Sequence, residues 1–313
     1  MPSHGDVRFG IETETPLVRT GNEDRDSIAN SLLEELRNVK HLDIDIKWVS
    51  GDIVGFEFKS PAFDLGRDWR AQVRKLWETV GVRQSTTPEH FVQCSTNIHF
   101  SLGNEEKTPL EEAQRIIFAA IYFENAIKSI MPTHWKARRF FESNMKESQT
   151  TRAGQFDITM MQVWKKIREK KSIEDLHDLV CHDKDAYRRA KGLHNKNFKW
   201  NLKGINYKTI EFRQIPVSRS AEDAEDWVDF TAAFVRAALA ADTGDLDRAA
   251  ESDTTAALNA LYNLGDFGLT DRPAEEAHLQ AFLRPHGLDD KFWERRGKSK
   301  ADLDEFMKDV PVV

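Results

Sequence analysis

Val7-Arg8-Phe9-Gly10-Ile11-Glu12-Thr13-Glu14 alternates apolar and polar positions. A period of two is the period of a β-strand, so Val7, Phe9 and Ile11 face one way and Arg8, Gly10, Glu12 and Glu14 the other. Pro16 predicts where the strand stops. The same pattern returns in Ile53–Ser60, where Phe56 and Phe58 oppose Glu57 and Lys59. It returns in Phe91–Ser101, where Cys94, Thr96, Ile98 and Phe100 oppose Gln93, Ser95, Asn97, His99 and Ser101. In Tyr207–Ile215, Ile210 and Phe212 oppose Thr209, Glu211 and Arg213.

The polar faces carry the carboxylates of Glu12, Glu14, Glu57 and Glu211, with Asn97, His99, Arg213 and Lys59 among them. If the strands share a sheet, the carboxylates converge. Two of them 4 Å apart repel by about 4 kcal/mol at an effective dielectric near 20. A fold keeps such a set where a cation sits between them or where their pKa values split. Oxygen-rich ligands favour magnesium or manganese over zinc. Each residue alone has a plainer reading. Glu12-Thr13-Glu14 could blunt an edge strand, His99 could be structural, and Glu211 with Arg213 could be a surface pair worth roughly 0–1 kcal/mol. Repetition over four strands argues against those readings together.

Between the strands the chain predicts helices. Asp24 or Asp26 caps one that carries Ile28, Leu32, Leu36 and Val39. Leu42, Ile44, Ile46 and Trp48 alternate as a further strand, and Ser50-Gly51-Asp52 turns it into Ile53–Ser60 as a hairpin that Pro61 ends. Arg70–Val80 reads as a helix. Thr108-Pro109-Leu110-Glu111 is a capping box opening a nearly all-apolar helix to Ile130, the expected buried centre. Shorter helices are expected at Met160–Glu169 and Ile173–Leu179, and a strand at Phe198–Leu202 with Lys199 and Asn201 on its polar face. Ser220 caps a helix with Trp227, Val228, Thr231, Val235 and Ala238 on one stripe. The remainder is polar and helical.

These elements imply an α+β fold: a curved, mostly antiparallel sheet with a carboxylate-lined face, and helices packed on the other. Two parts are expected, a catalytic domain over 1–242 and a helical extension over 243–313 packed on it. At 313 residues the chain can bury a sizeable core. Net charge is −7, which excludes non-specific nucleic-acid binding as the default role. Only Cys94 and Cys181 are present, against a disulfide framework and in keeping with a reducing compartment. With no apolar leader and no run of 18 apolar residues, a cytoplasmic protein without a membrane partner is expected. There is no GxGxxG and no Walker motif, so phosphate would have to be handled by side chains and metal. Cys181-His182-Asp183 is a tempting cluster, but consecutive residues rarely build a catalytic constellation.

At the same four strands the sequence resembles the amidoligases, whose expected fold is that of the glutamine-synthetase-like carboxylate–amine ligases. Phe9-Gly10-Ile11-Glu12-Thr13-Glu14 is similar to that family's GxExE strand and Gly55-Phe56-Glu57-Phe58-Lys59-Ser60-Pro61 to its ExxSP strand. Cys94-Ser95-Thr96-Asn97-Ile98-His99 follows its CGxHxH strand, and Thr209-Ile210-Glu211-Phe212-Arg213 its TxEFR strand. The resemblance spans residues 7 to about 240. It implies that Glu12, Glu14, Glu57 and Glu211 bind two or three magnesium ions, that ATP phosphorylates a small-molecule or peptide carboxylate, and that an amine attacks the acyl phosphate to form an amide. Arg213 would stabilise the transferring phosphoryl group and His99 would contact phosphate. Arg138-Arg139 stands about where the family has an Arg with a downstream Asn, here Asn144, and Arg139 is the better candidate to anchor an anion. Lys199 and Asn201 are further candidates for nucleotide contact.

Two residues depart from the pattern. Asn97 stands where the family has the first His; its carbonyl oxygen can still serve magnesium. Lys59 shares a face with Glu57. Both bear on the number of metal ions. A phosphotransferase of the same fold, a metal-dependent hydrolase and a non-catalytic binding member are the alternatives.

Overall fold

The computed structural model describes residues 7–18, 24–35, 43–50, 53–92, 94–102, 110–136, 143–144, 160–181, 198–202, 209–241 and 272–310. In chain order the elements are β1 (Val7–Val18), α1 (Arg25–Glu35), β2 (Asp43–Ser50), β3 (Ile53–Lys59), β4 (Phe63–Asp64), α2 (Arg70–Gly81), β5 (Ser95–Leu102), α3 (Leu110–Tyr122), α4 (Glu124–Ser129), α5 (Thr133–Lys136), α6 (Met160–Arg168), α7 (Ile173–Val180), β6 (Trp200–Asn201), β7 (Ile210–Pro216), α8 (Ala221–Ala240), α9 (Arg272–Leu283) and α10 (Asp290–Phe306).

The strands form one open sheet in the order β2-β3-β1-β5-β7-β6, with β4 beside the start of β1. Every pairing is antiparallel. On one face Phe9, Ile11, Phe56, Phe58, Ile98, Phe100, Ile210 and Phe212 are at most 3% exposed. They join a single core with α2, α3 and α8. Burying each such side chain is worth about 1.5–3 kcal/mol, so this face holds the fold together.

Helix α8 packs on the back of the sheet through its apolar stripe of Trp227, Val228, Phe230, Phe234 and Val235, and its start is capped by Ser220, whose Oγ accepts from the Asp223 N–H at 3.1 Å. Arg70 and Arg74 of α2 grip Asp229 and Glu225 of α8 with two bonds each, at 2.7 to 3.0 Å. Leu279 and Leu283 of α9 enter the main core. Leu303, Met307 and Val310 close a smaller cluster over Phe91, Cys94, Trp135 and Val217. The expected boundary at 242/243 lies outside the described residues, as does all of 242–271.

Several expected boundaries move, each for a local reason. β1 does not stop at Pro16 but runs to Val18. Pro16 and Val18 point away from β3: the Pro16 carbonyl accepts from the Ser85 N–H at 2.9 Å and the Val18 N–H donates to the Arg83 carbonyl at 2.8 Å. The missing proline N–H therefore takes nothing from the β1–β3 ladder. The expected strand from Phe91 begins only at Ser95, because Pro88 opens a 3-10 turn over Pro88–Phe91. The helix expected to reach Ile130 breaks at Phe123, whose ring stacks on Phe282 at 4.6 Å. Of the two candidate caps for α1, Asp24 is the one used: its Oδ1 accepts from the N–H groups of Asp26 and Ser27, both at 2.9 Å. The turn at 51–52 and the loop around 204 lie outside the described residues.

Candidate active site

Strand register places the polar residues in rows across the sheet. In the first row His99 of β5 lies between Gly10 of β1 and Glu211 of β7, with Asn201 of β6 beyond Glu211. In the second, Glu12 lies between Lys59 and Asn97. In the third, Glu57 lies between Asp45 and Glu14. The β5–β7 pairing shifts opposite Asn97, so that Thr96 meets Ile215 while Ile98 meets Phe212. This bulge keeps Glu211 and Arg213 on the polar side and still turns Ile215 into the core.

The rows bring Glu12, His99 and Glu211 together, with one ligand atom of each within 4.8 Å of the others. His99 Nε2 is 3.4 Å from Glu12 Oε1 and 3.6 Å from Glu211 Oε1, while Nδ1 is 3.4 Å from the Thr209 hydroxyl. Arg213 Nη1 pairs with Glu211 Oε1, and Asn201 Nδ2 donates to Glu211 Oε2 at 3.0 Å. Asn97 is 3% exposed, yet its Oδ1 has no hydrogen-bond partner, and neither does His99 Nε2. A buried acceptor left unpaired costs about 1–3 kcal/mol. Carboxylate and amide oxygens with one imidazole form a donor set suited to a hard divalent cation, and the orphaned Asn97 oxygen fits the same use.

The charges follow from these contacts. Burial works against the Glu12 carboxylate, but contact with His99 and the charges of His99, Lys59 and Arg213 prevail, holding its pKa below the ordinary value. Burial likewise works against a charged His99, but Glu12 and Glu211 raise its pKa overall in spite of Arg213. Glu14 goes the other way. Burial and then the neighbouring Glu57 raise it, only partly offset by Lys47, the Ser95 N–H and Arg213.

Glu14 and Glu57 occupy the other end of the polar face. Glu14 Oε2 accepts from the Ser95 N–H at 3.2 Å. Glu57 Oε2 is 2.8 Å from Lys47 Nζ and 3.0 Å from Lys59 Nζ, and Lys59 also pairs with Asp45. Asp45 and Lys47 were not among the residues singled out in the sequence. Their signal was there: they are polar positions of the Leu42–Trp48 alternation, on a strand that pairs with Glu57.

Lys199 lies just before β6, beside Arg213, whose N–H donates to its carbonyl at 2.9 Å, but its ammonium is buried against Glu124 Oε1 of α4 at 2.8 Å. Glu124 lies in the run expected to form a nearly all-apolar helix. Asn144 Nδ2 donates to the Val180 and Trp200 carbonyls, at 3.2 and 2.8 Å, and its Oδ1 accepts from the Trp200 N–H at 2.9 Å, so it staples β6 in place. Arg138 and Arg139 lie outside the described residues, as do His182 and Asp183. Cys181 is fully buried, and burial pushes its thiol up to about 12, so it is no nucleophile at neutral pH.

No helix among the described residues is long and apolar enough to cross a membrane. A comparison with curated proteins gives no match. The family model described as "Putative amidoligase enzyme" matches residues 7–235, which takes in all four polar strands and most of α8 behind them. On that match the chain belongs to the amidoligase family, whose name denotes enzymes that form amide bonds.

Proposed function

We propose that the polar face is the active site of an ATP-dependent carboxylate–amine ligase on a glutamine-synthetase-like fold. The observation that carries this reading is the convergence of Glu12, His99 and Glu211 from three strands, with the unpartnered Asn97 oxygen beside them. ATP supplies a γ-phosphoryl group that converts a carboxylate into an acyl phosphate, from which an amine can displace phosphate. A magnesium or manganese ion supplies charge neutralisation for the phosphates, and Glu12, Glu211, His99 and Asn97 would hold it.

Arg213 sits at the edge of this cluster as a fixed cation, aimed where negative charge builds during transfer. Its bond to Glu211 orients the guanidinium before any ligand arrives, which lowers the cost of reorganisation. Asn201 does the same for Glu211 from the opposite side. His99, held between two carboxylates with its Nδ1 towards the Thr209 hydroxyl, would offer unprotonated Nε2 to the ion. With rigid strands as their base, these groups work by positioning and charge stabilisation. The acceptor carboxylate and amine would be small molecules or peptide groups. Two free cysteines, both buried, fit a reducing cytoplasm.

The test is calorimetric titration of magnesium-ATP into the wild type, Glu12→Gln and Glu211→Gln. Magnesium-dependent binding that each substitution weakens at least tenfold is the expected result, followed by ADP and free phosphate when the right carboxylate and amine are present. Absence of nucleotide binding in the wild type would overturn the reading. A stable phosphorylated product in place of free phosphate would identify a phosphotransferase instead.

A further inference from the structure

The two ends of the polar face differ in how their negative charge is balanced. At the Glu12–His99–Glu211 end, Arg213 is the only lysine or arginine paired directly to a carboxylate oxygen among the described residues; Asn97 Oδ1 and His99 Nε2 there lack a hydrogen-bond partner, as does Glu57 Oε2 at the other end, but the Glu57 oxygen has ammonium groups against it. At the Glu14–Glu57 end, two ammonium groups already stand among the carboxylates. Lys47 and Lys59 converge on Glu57 Oε2, at 2.8 and 3.0 Å, and Lys59 is held from its other side by Asp45. Lys59 is also the register partner of Glu12, which places its backbone in the row between the two ends. A divalent ion approaching Glu57 would have to displace both ammonium groups or accept their repulsion at contact distance. Among the described residues, Glu12, His99 and Glu211 form the one group of three ligating side chains close enough to share an ion.

We propose that Lys59, assisted by Lys47, is a built-in counter-ion standing where a second divalent cation would otherwise lie, so that the protein itself takes one divalent cation, at Glu12, His99 and Glu211, and none at Glu57. This rests on the reading of the polar face as a cation site. Lys59 thereby acts as a positioning residue: it fixes Glu57 and the charge of that end without exchanging with solvent ions.

The experiment counts manganese ions bound by the full chain without nucleotide, using the electron paramagnetic resonance signal of free Mn²⁺. One ion per chain is expected for the wild type and two for Lys59→Met, with thermal unfolding confirming that the variant is folded. Lys47→Met gives an independent second reading, with a gain in the same direction. Two ions of comparable affinity in the wild type would overturn the proposal while leaving the cation site intact. A count that stays at one in both lysine variants would also overturn it. No bound ion in the wild type would sink the cation site itself, a distinct failure.

Discussion

Phe212 and Glu211 are neighbours on β7, nearly equally hidden from solvent at 0% and 4% exposure, and they answer to opposite demands. Phe212 is enclosed by rings, stacked on Trp200 with centroids 4.5 Å apart and close to Phe230. Glu211 is enclosed by Arg213, Asn201 and His99. The first arrangement is complete in itself. The second concentrates charge and leaves Asn97 Oδ1 without a partner. Burial alone therefore does not separate core from site in this sheet; the chemistry of the neighbours does. One face supplies stability, and the other uses it to hold groups that would not otherwise stay together.

The sharpest break of that comparison is on β7 itself. Phe212→Ala should cost about 3–5 kcal/mol in urea-induced unfolding, because a ring in a stacked aromatic layer leaves a cavity that rigid strands cannot close. Glu211→Gln, one residue away, keeps the shape and an acceptor for Asn201, and should cost no more than about 2 kcal/mol. Equal losses would mean that the polar face is part of what holds the fold, and the division of labour would be wrong.

The next effect lies behind the packed face. Arg296 of α10 is 3% exposed, lies over the Trp227 ring at 4.2 Å and donates to Asp223 Oδ1 at 2.5 Å. Its loss should cost about 2–3 kcal/mol, below the range for breaking a fully buried pair because Ser299 still donates to Asp223 at 2.8 Å. Thermal unfolding of Arg296→Ala measures it. Lysine at 296 should rescue little, since it lacks the planar group that stacks. Full stability in Arg296→Ala would show that α10 is an ornament and not a strut for α8.

The sheet was legible in the sequence because its strands alternate strictly, and alternation survives any tertiary context that buries one face. That is why Glu12, His99, Glu211 and Arg213 could be named and found on one side. The bulge opposite Asn97 was only half legible: Arg213-Gln214 puts two polar residues in succession and so breaks the alternation, but which strand is bulged, and where, depends on the partner. Pro16 misled for a related reason, since its cost depends on which side of β1 carries the ladder, and a single strand does not say. Glu124 escaped because a lone charge in an apolar helix has no periodicity, and its partner Lys199 is 75 residues away in sequence. The grip of Arg296 on Trp227 and Asp223 is equally non-local. A polar, apparently solvated tail concealed the residue that anchors it.

The smallest effect tests the polar face against itself. Glu12 and Glu14 sit two residues apart on one strand face, yet their surroundings act in opposite senses. Glu12 is favoured as an anion by His99, Lys59 and Arg213, whereas Glu14 is disfavoured by burial and by Glu57. In cation-free protein at neutral pH, Glu14→Gln should therefore remove a repulsion and raise Tm slightly, on the order of 2 °C, while Glu12→Gln should lower it by a similar amount. Scanning calorimetry in the presence of chelator reads both. Adding manganese should then stabilise the wild type and Glu14→Gln but not Glu12→Gln, because a ligand that binds only the folded state raises its stability and only Glu12 belongs to the converging group of three. If Glu14→Gln instead loses both intrinsic stability and the manganese response, Glu14 is a ligand whose charge the fold needs, and the two ends of the polar face work as one site.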